Sequence, residues 1–310
     1  MRIVFMGTPR VAALSLERLV KSPHTVAGTV TRPDRPVGRG QRPAPSPVRS
    51  VAEKHRVAVL APEKIRDPAF LAALTAWSPE IIVVVAYGRI LPRQILELAP
   101  HGCLNVHYSL LPKYRGAAPV AWAIVNGEEK SGVTTMHLVE KMDAGPMLLQ
   151  REIALSADET TASLQEKLAP IGADLLLETL AGIADGTLTP KAQDEASATY
   201  APMIKKEDGL IDWSQPAAAI ERRVRGFTPW PSAYTEFQGT LLKIHRARVV
   251  EGASGAPGEV VRAARSDLWI ETGTGALALE EVQLENRKRV SAAEFLNGSR
   301  IEKGARLGAA

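Results

Sequence analysis

"PEIIVVVAYG", residues 79–88, decides the fold. It runs apolar from Ile81 to Ala86 between Pro79 and Gly88, and most of it is β-branched. A run of that kind, without polar alternation, fits a strand buried on both faces, which is the signature of a parallel sheet. Working outward, the same texture recurs on both sides. "RIVFMG" (2–7) is a short apolar run ending in Gly, followed by an amphipathic stretch with Val11, Leu14, Leu16, Leu19 and Val20. "TVAGTV" (25–30), "VAVLAP" (57–62) and "GCLNVHYSLLP" (102–112) read as further strands. Repeated strand–helix units predict a doubly wound, mostly parallel, Rossmann-like sheet. Ligands of such sheets bind beyond the carboxyl ends of the strands. Gly7, Gly88 and the pair Asn105 and His107 fall at or near such ends. No G-x-G-x-x-G follows the first strand, so a dinucleotide cofactor is not supported.

The texture changes after residue 185. Residues 160–185 read as one helix, with Leu164, Leu168, Ile171 and Leu175 at helical spacing and Gly186 as its stop. "TLTPKAQDEASATYAPMIKKEDG" (187–209) is polar and aperiodic, the pattern of a linker. A helix over about 216–225 follows, with Ser214 as its expected cap and Arg222, Arg223 and Arg225 near its end. Five short alternating segments then suggest a small antiparallel, OB-like β-barrel. The expected division is a catalytic domain over 1–188, a linker over 189–207 and the barrel over 208–310.

Composition narrows the class. The chain has 310 residues, 45% hydrophobic and 23% charged, enough for two globular domains. Its single cysteine, Cys103, excludes an internal disulfide and a cysteine-built zinc site, and no metal is expected. The N-terminal apolar run is too short for a signal peptide, and no segment approaches the ~20 apolar residues of a membrane span. The expectation is a soluble, cytoplasmic monomer with no membrane partner. The net charge is only +4, yet residues 31–49 hold five arginines and one aspartate. Arginines spaced by Gly and Pro can follow phosphates without fixed secondary structure.

Side chains at i and i+2 of a strand share a face, so Asn105 and His107 point the same way. An amide donor beside an imidazole can bind one developing oxyanion. The missing carboxylate has a candidate in Asp143, in the turn "MDAG" after the strand "GVTTMHLV". Together the three form an acyl-transfer site with no covalent nucleophile. From the residues alone other readings stand. A strand-end Asn and His also make an ordinary hydrogen-bonded pair, and Asp in a D-A-G turn is also a turn former.

The stretch "NVHYSLLPKYRGAAPVAWAIVNGEEKSGVTTMHLVEKMDAG" (105–145) resembles the folate-dependent formyltransferase family. The pattern is Asn-x-His, Ser-Leu-Leu-Pro, Arg-Gly and then an Asp before a Gly. It falls here on Asn105, His107, Ser109 to Pro112, Arg115, Gly116 and Asp143. The resemblance continues through "PDRPVGRGQ" (33–41), "VVVAYG" (83–88) and "IDWSQPAAAIERRVRGFTPWP" (211–231), nearly the whole chain, and is strongest to members acting on a charged tRNA. It implies transfer of the formyl group of 10-formyltetrahydrofolate to the α-amine of initiator methionyl-tRNA. The folate is a donor substrate, and no cofactor is tightly held. Asn105, His107 and Asp143 would be catalytic, with Asp143 holding His107. Ser109, Leu110, Leu111, Pro112, Val85, Tyr87 and Gly88 would line the folate site. Arg35, Arg39, Arg42, Lys205 and Lys206 would contact tRNA. Tyr108 departs from the pattern, where a small residue is common, and leaves the shape of the nearby site open. The competing readings are a formyltransferase acting on an amino-sugar nucleotide, a non-catalytic nucleic-acid binder and, least favoured, a nicotinamide dehydrogenase.

Overall fold

A computed structural model describes residues 1–37, 42–252, 254–299 and 301–308. Cα proximity divides the chain into two compact units, Met1–Pro119 with Lys130–Ala154 and Gln165–Pro202, and Val120–Glu129 with Leu155–Leu164 and Met203–Ala310.

The first unit is built on strands β1 (Arg2–Gly7), β2 (Thr25–Val30), β3 (Arg35–Val37), β4 (Arg42–Ala44), β5 (Val59–Leu60), β6 (Ile81–Val85), β7 (Cys103–His107), β8 (Arg115–Gly116), β9 (Lys130–His137), β10 (Met147–Ala154) and β11 (Tyr200–Ala201). Helices α1 (Arg10–Leu19), α2 (Pro47–Lys54), α3 (Pro68–Ala76) and α4 (Arg93–Leu96) connect the first strands; α5 (Pro119–Val125) belongs almost wholly to the second unit, and α6 (Thr161–Ala184) to the first from Gln165 on. The main sheet has the order β10-β9-β7-β6-β1-β2-β5. β5, β2, β1, β6 and β7 are parallel, whereas β9 and β10 are antiparallel additions at one edge. All five residues of β6 are buried, as its unbroken apolar run requires. Strand order reverses between β1 and β6, so the open crevice lies at the ends of β1, β6 and β7, where Gly7, Gly88 and His107 sit.

The reading of "VAVLAP" as a full strand shrinks to the two residues of β5, because only Thr29 and Val30 offer it a ladder. The arginine-rich loop carries the short β3–β4 ladder, separate from the main sheet. Arg39 lies outside the described residues, as do the side chains of Arg35 and Arg42. Residues 189–202, expected to be linker, hydrogen-bond within the first unit. Lys191 exchanges two backbone bonds of 2.8 Å with Met147, and β11 pairs in parallel with β8. A polar, aperiodic sequence hides this because its bonds run through backbone and polar side chains rather than an apolar face.

The second unit contains α7 (Ala217–Gly226), β12 (Ala233–Phe237), β13 (Thr240–Val250), β14 (Val260–Ala264), β15 (Asp267–Glu271), β16 (Ala276–Leu284), β17 (Val290–Ser291) and α8 (Ala292–Gly298). Its sheet runs β12-β13-β16-β15-β14, antiparallel throughout, with β17 on β16. Trp213, Ile220, Val224, Phe237, Leu277 and Phe295 are among its buried core. Ser214 does not cap α7; its hydroxyl donates to Asp212 Oδ1 at 2.6 Å, and Pro216 holds the cap position. Residues 120–129 and 155–164 join this unit through Trp122, edge-on to Phe227 at 5.9 Å, and Thr161, whose hydroxyl donates to Gly226 O at 2.6 Å. Among the described residues no helix is long and apolar enough to cross a membrane.

Candidate active site

Asn105 and His107 occupy the carboxyl end of β7, opposite Met136 and Thr134 of β9. Both are buried, 8% and 6% exposed, at the edge of the crevice rather than in bulk solvent. His107 Nε2 lies 2.9 Å from Tyr114 O. A carbonyl can only accept, so Nε2 carries the proton and Nδ1 is the nitrogen left for chemistry. Asp143 Oδ2 lies 3.8 Å from that Nδ1. This is beyond hydrogen-bond reach, so the imidazole is held by the Tyr114 carbonyl, not by Asp143. The carboxylate still faces it at ion-pair distance.

Asp143 is itself pinned. Its Oδ2 accepts from Gly116 N–H at 2.7 Å. Its backbone is left-handed, at φ +48°, a conformation that Asp tolerates better than most residues. Two glycines make this possible. A Cβ on Gly145 would lie 1.8 Å from His137 O, so the turn can only close this tightly on glycine. Gly116 has φ +123°, and a Cβ there would meet Ala201 O at 2.6 Å.

The Ser109–Pro112 turn is tied down by residues that the sequence did not single out. Thr134 Oγ1 donates to Ser109 O (2.7 Å) and accepts from Leu111 N (3.2 Å). Gln150 Nε2 donates to Leu111 O (2.8 Å), and Ser109 Oγ donates to Lys113 O (2.7 Å). Most polar groups of the turn are therefore engaged internally, Leu111 is buried and Leu110 packs toward Gly132. Val85 and Tyr87 are likewise buried, Val85 in register with Gly7 and Tyr87 with its carbonyl accepting from Thr8 Oγ1 (3.3 Å). Gly88 is exposed at φ +78°, beside Arg32. Thr134 shares the His107 face because it stands opposite it in the β7–β9 ladder, a register that alternation within either strand does not fix. Gln150 carried no local signal.

Tyr108, one residue along the strand from His107, points to the other face. There it meets Gly172 of α6, where a Cβ would lie 3.1 Å from its ring. Burial pushes its hydroxyl up to about 12, and that oxygen lacks a hydrogen bond of standard geometry, with Ser15 only in weaker reach. The departure at 108 is thus accommodated by a glycine in the core and stays off the face of Asn105 and His107. Burial also pushes the Cys103 thiol up to about 12, which makes it inert. Lys205 and Lys206 are exposed at a short 3₁₀ turn of the second unit.

A donor amide, an imidazole with one fixed proton and a pinned carboxylate stand together at the ligand end of a parallel sheet, a set of groups able to hold an oxyanion and accept a proton. The formyl transferase family model matches residues 1–180, and its C-terminal domain model matches residues 203–300. The chain belongs to the formyl transferase family. A methionyl-tRNA formyltransferase of Citrifermentans bemidjiense is 49% identical over 308 residues, covering 99% of this chain and 96% of that one. HypX from Aquifex aeolicus matches with a TM-score of 0.66 at 21% identity, over 97% of this chain, which spans 49% of that longer one. WlaRD, a sugar 3N-formyl transferase solved in the presence of dTDP and 5-N-formyl-THF, matches with a TM-score of 0.67 at 17% identity, over 93% and 99% of the two chains. At such identities these two structures show a shared fold.

Proposed function

We infer that this chain transfers the formyl group of 10-formyltetrahydrofolate to the α-amine of initiator methionyl-tRNA, producing N-formylmethionyl-tRNA and tetrahydrofolate for translation initiation. The observation that carries this reading is the end-to-end match, at 49% identity, to an enzyme named for that reaction. The site geometry is compatible with it. The amine nitrogen attacks the formyl carbon, and the carbonyl oxygen becomes an oxyanion. The Asn105 amide and a protonated His107 Nδ1 donate to that oxygen. Asp143 takes the proton lost by the amine. When the tetrahedral intermediate collapses, the bond to folate N10 breaks and that nitrogen takes a proton back.

The folate would lie at the ends of β1, β6 and β7, against residues 85–88 and 109–112. The tRNA would be gripped through phosphates by Arg35, Arg39 and Arg42 and by Lys205 and Lys206. The catalytic part would centre on 1–188 with 189–202 packed onto it, and the tRNA-binding part on 208–310, in a cytoplasmic monomer. The test is formyl transfer from 10-formyltetrahydrofolate to charged initiator tRNA, with an amino-sugar nucleotide in parallel. Formylation of the sugar alone would overturn the reading.

A further inference from the structure

Within the segment 191–201, alternate residues 191, 193 and 195 touch the stretch 141–147 that contains Asp143. Glu195 Oε2 accepts from Lys141 Nζ at 2.6 Å. Gln193 Nε2 donates to Asp143 O at 2.8 Å and to Gly145 O at 2.7 Å. Lys191 exchanges its two backbone bonds with Met147. The other side of the segment is fixed to β8 and the residue before it. Thr199 Oγ1 accepts from Tyr114 N and Thr199 O from Arg115 N, both at 2.9 Å.

Arg115 links the two sides. Its side chain is wholly buried, with Nε donating to Gln193 Oε1 at 3.0 Å and its two terminal nitrogens forked onto Glu195 at 3.2 and 3.0 Å. These partners fix the Gln193 amide. The reverse orientation would set its oxygen against two carbonyls and its NH₂ against a guanidinium. Asp143 is therefore held at both ends, its carboxylate by Gly116 N–H and its carbonyl by Gln193.

We propose that Gln193 is a positioning residue that, locked by Arg115, holds the Asp143 carboxylate against His107. It touches no reacting atom and acts through the left-handed turn. The inference rests on the formyl-transfer reading for its kinetic consequences. A loosened turn loses the Gly116 bond and widens the 3.8 Å gap to His107 Nδ1.

The experiment uses the full chain with Gln193→Leu, which removes both donors and the acceptor. Gln193→Glu keeps the acceptor for Arg115 and the size while losing the donors, so it tests the same bonds if the apolar variant does not fold. Steady-state formylation of methionyl-tRNA is measured over pH, together with an NMR titration of the His107 ring without substrate. The expected result is a fall in kcat of about 10- to 100-fold, the cost of misplacing a reacting group by about an ångström. KM for both substrates should change little. The His107 titration should move in the same direction as in Asp143→Asn. A folded variant with wild-type kcat and an unmoved His107 titration overturns the proposal, and so does a loss confined to KM. A wild-type protein that does not formylate methionyl-tRNA sinks the parent reading alone, because the NMR titration still reports on the brace.

Discussion

Asp143→Asn separates the charge of the carboxylate from its place in the turn. The amide oxygen can still accept from Gly116 N–H, now 2.7 Å from Oδ2, and Asn tolerates the φ of +48° as well as Asp does. The fold should survive, with a melting temperature within a few degrees of wild type. What is lost is a negative charge 3.8 Å from His107 Nδ1. Both side chains are largely buried, so an effective dielectric near 20 applies, and the imidazolium–carboxylate attraction is about 4 kcal/mol. If the transition state contains that ion pair, its loss slows the chemical step about 10³-fold, and loss of the proton acceptor acts in the same direction. The assay is single-turnover formylation at saturating folate, with pH varied. Folate affinity should hardly change. Asp143→Ala is the contrast, because it also gives up the Gly116 anchor and places Ala in the left-handed region, so it should lower both stability and rate. Asp143→Asn with more than a tenth of wild-type kcat, or an unchanged pH–rate profile, would refute the electrostatic role.

Gly145→Ala sets a methyl 1.8 Å from the His137 carbonyl, so the turn must open; we expect a stability loss of about 1–3 kcal/mol in urea denaturation and a larger fall in rate. Glu195 is held down to about 2 from 4.5, first by its hydrogen bond from Arg115 and then by Lys141. A depressed carboxylate stabilises the fold above its unfolded value and loses that contribution as the pH falls. The stability gap between wild type and Glu195→Gln should therefore be constant above about pH 5 and close toward pH 2; a gap independent of pH would remove the ion pair from the account. Arg39→Ala should lower kcat/KM for charged tRNA about tenfold and flatten its salt dependence, with folate affinity as the internal control. Equal salt slopes would leave the arginine loop without a phosphate contact.

The parallel sheet was legible because β6 is apolar without interruption and the strand-to-helix alternation repeats around it. Asn105 and His107 were legible as a pair because strand geometry alone puts them on one face. Asp143 could be named from its turn, but not its distance. That it stops at 3.8 Å and leaves the imidazole to Tyr114 O depends on how the chain returns after Pro112, which no period encodes. Gln193 was invisible for a different reason. A glutamine in a polar stretch has no periodic signature, and its meaning comes from two carbonyls some 50 residues earlier in the chain. Arg115 matched a family pattern, but only burial reveals it as a clamp rather than a surface charge.

The parallel pairing of Tyr200 and Ala201 with Arg115 and Gly116 bears on recombination between formyltransferases. The N-terminal family model stops at residue 180, and the change in texture invites a crossover near 188. A chimera joined there would inherit the strand of Asn105 and His107 from one parent and the chain that clamps the Asp143 turn from another, including the counterpart of Gln193. Joined after Pro202, the graft would carry strand, turn and clamp as one heritable block.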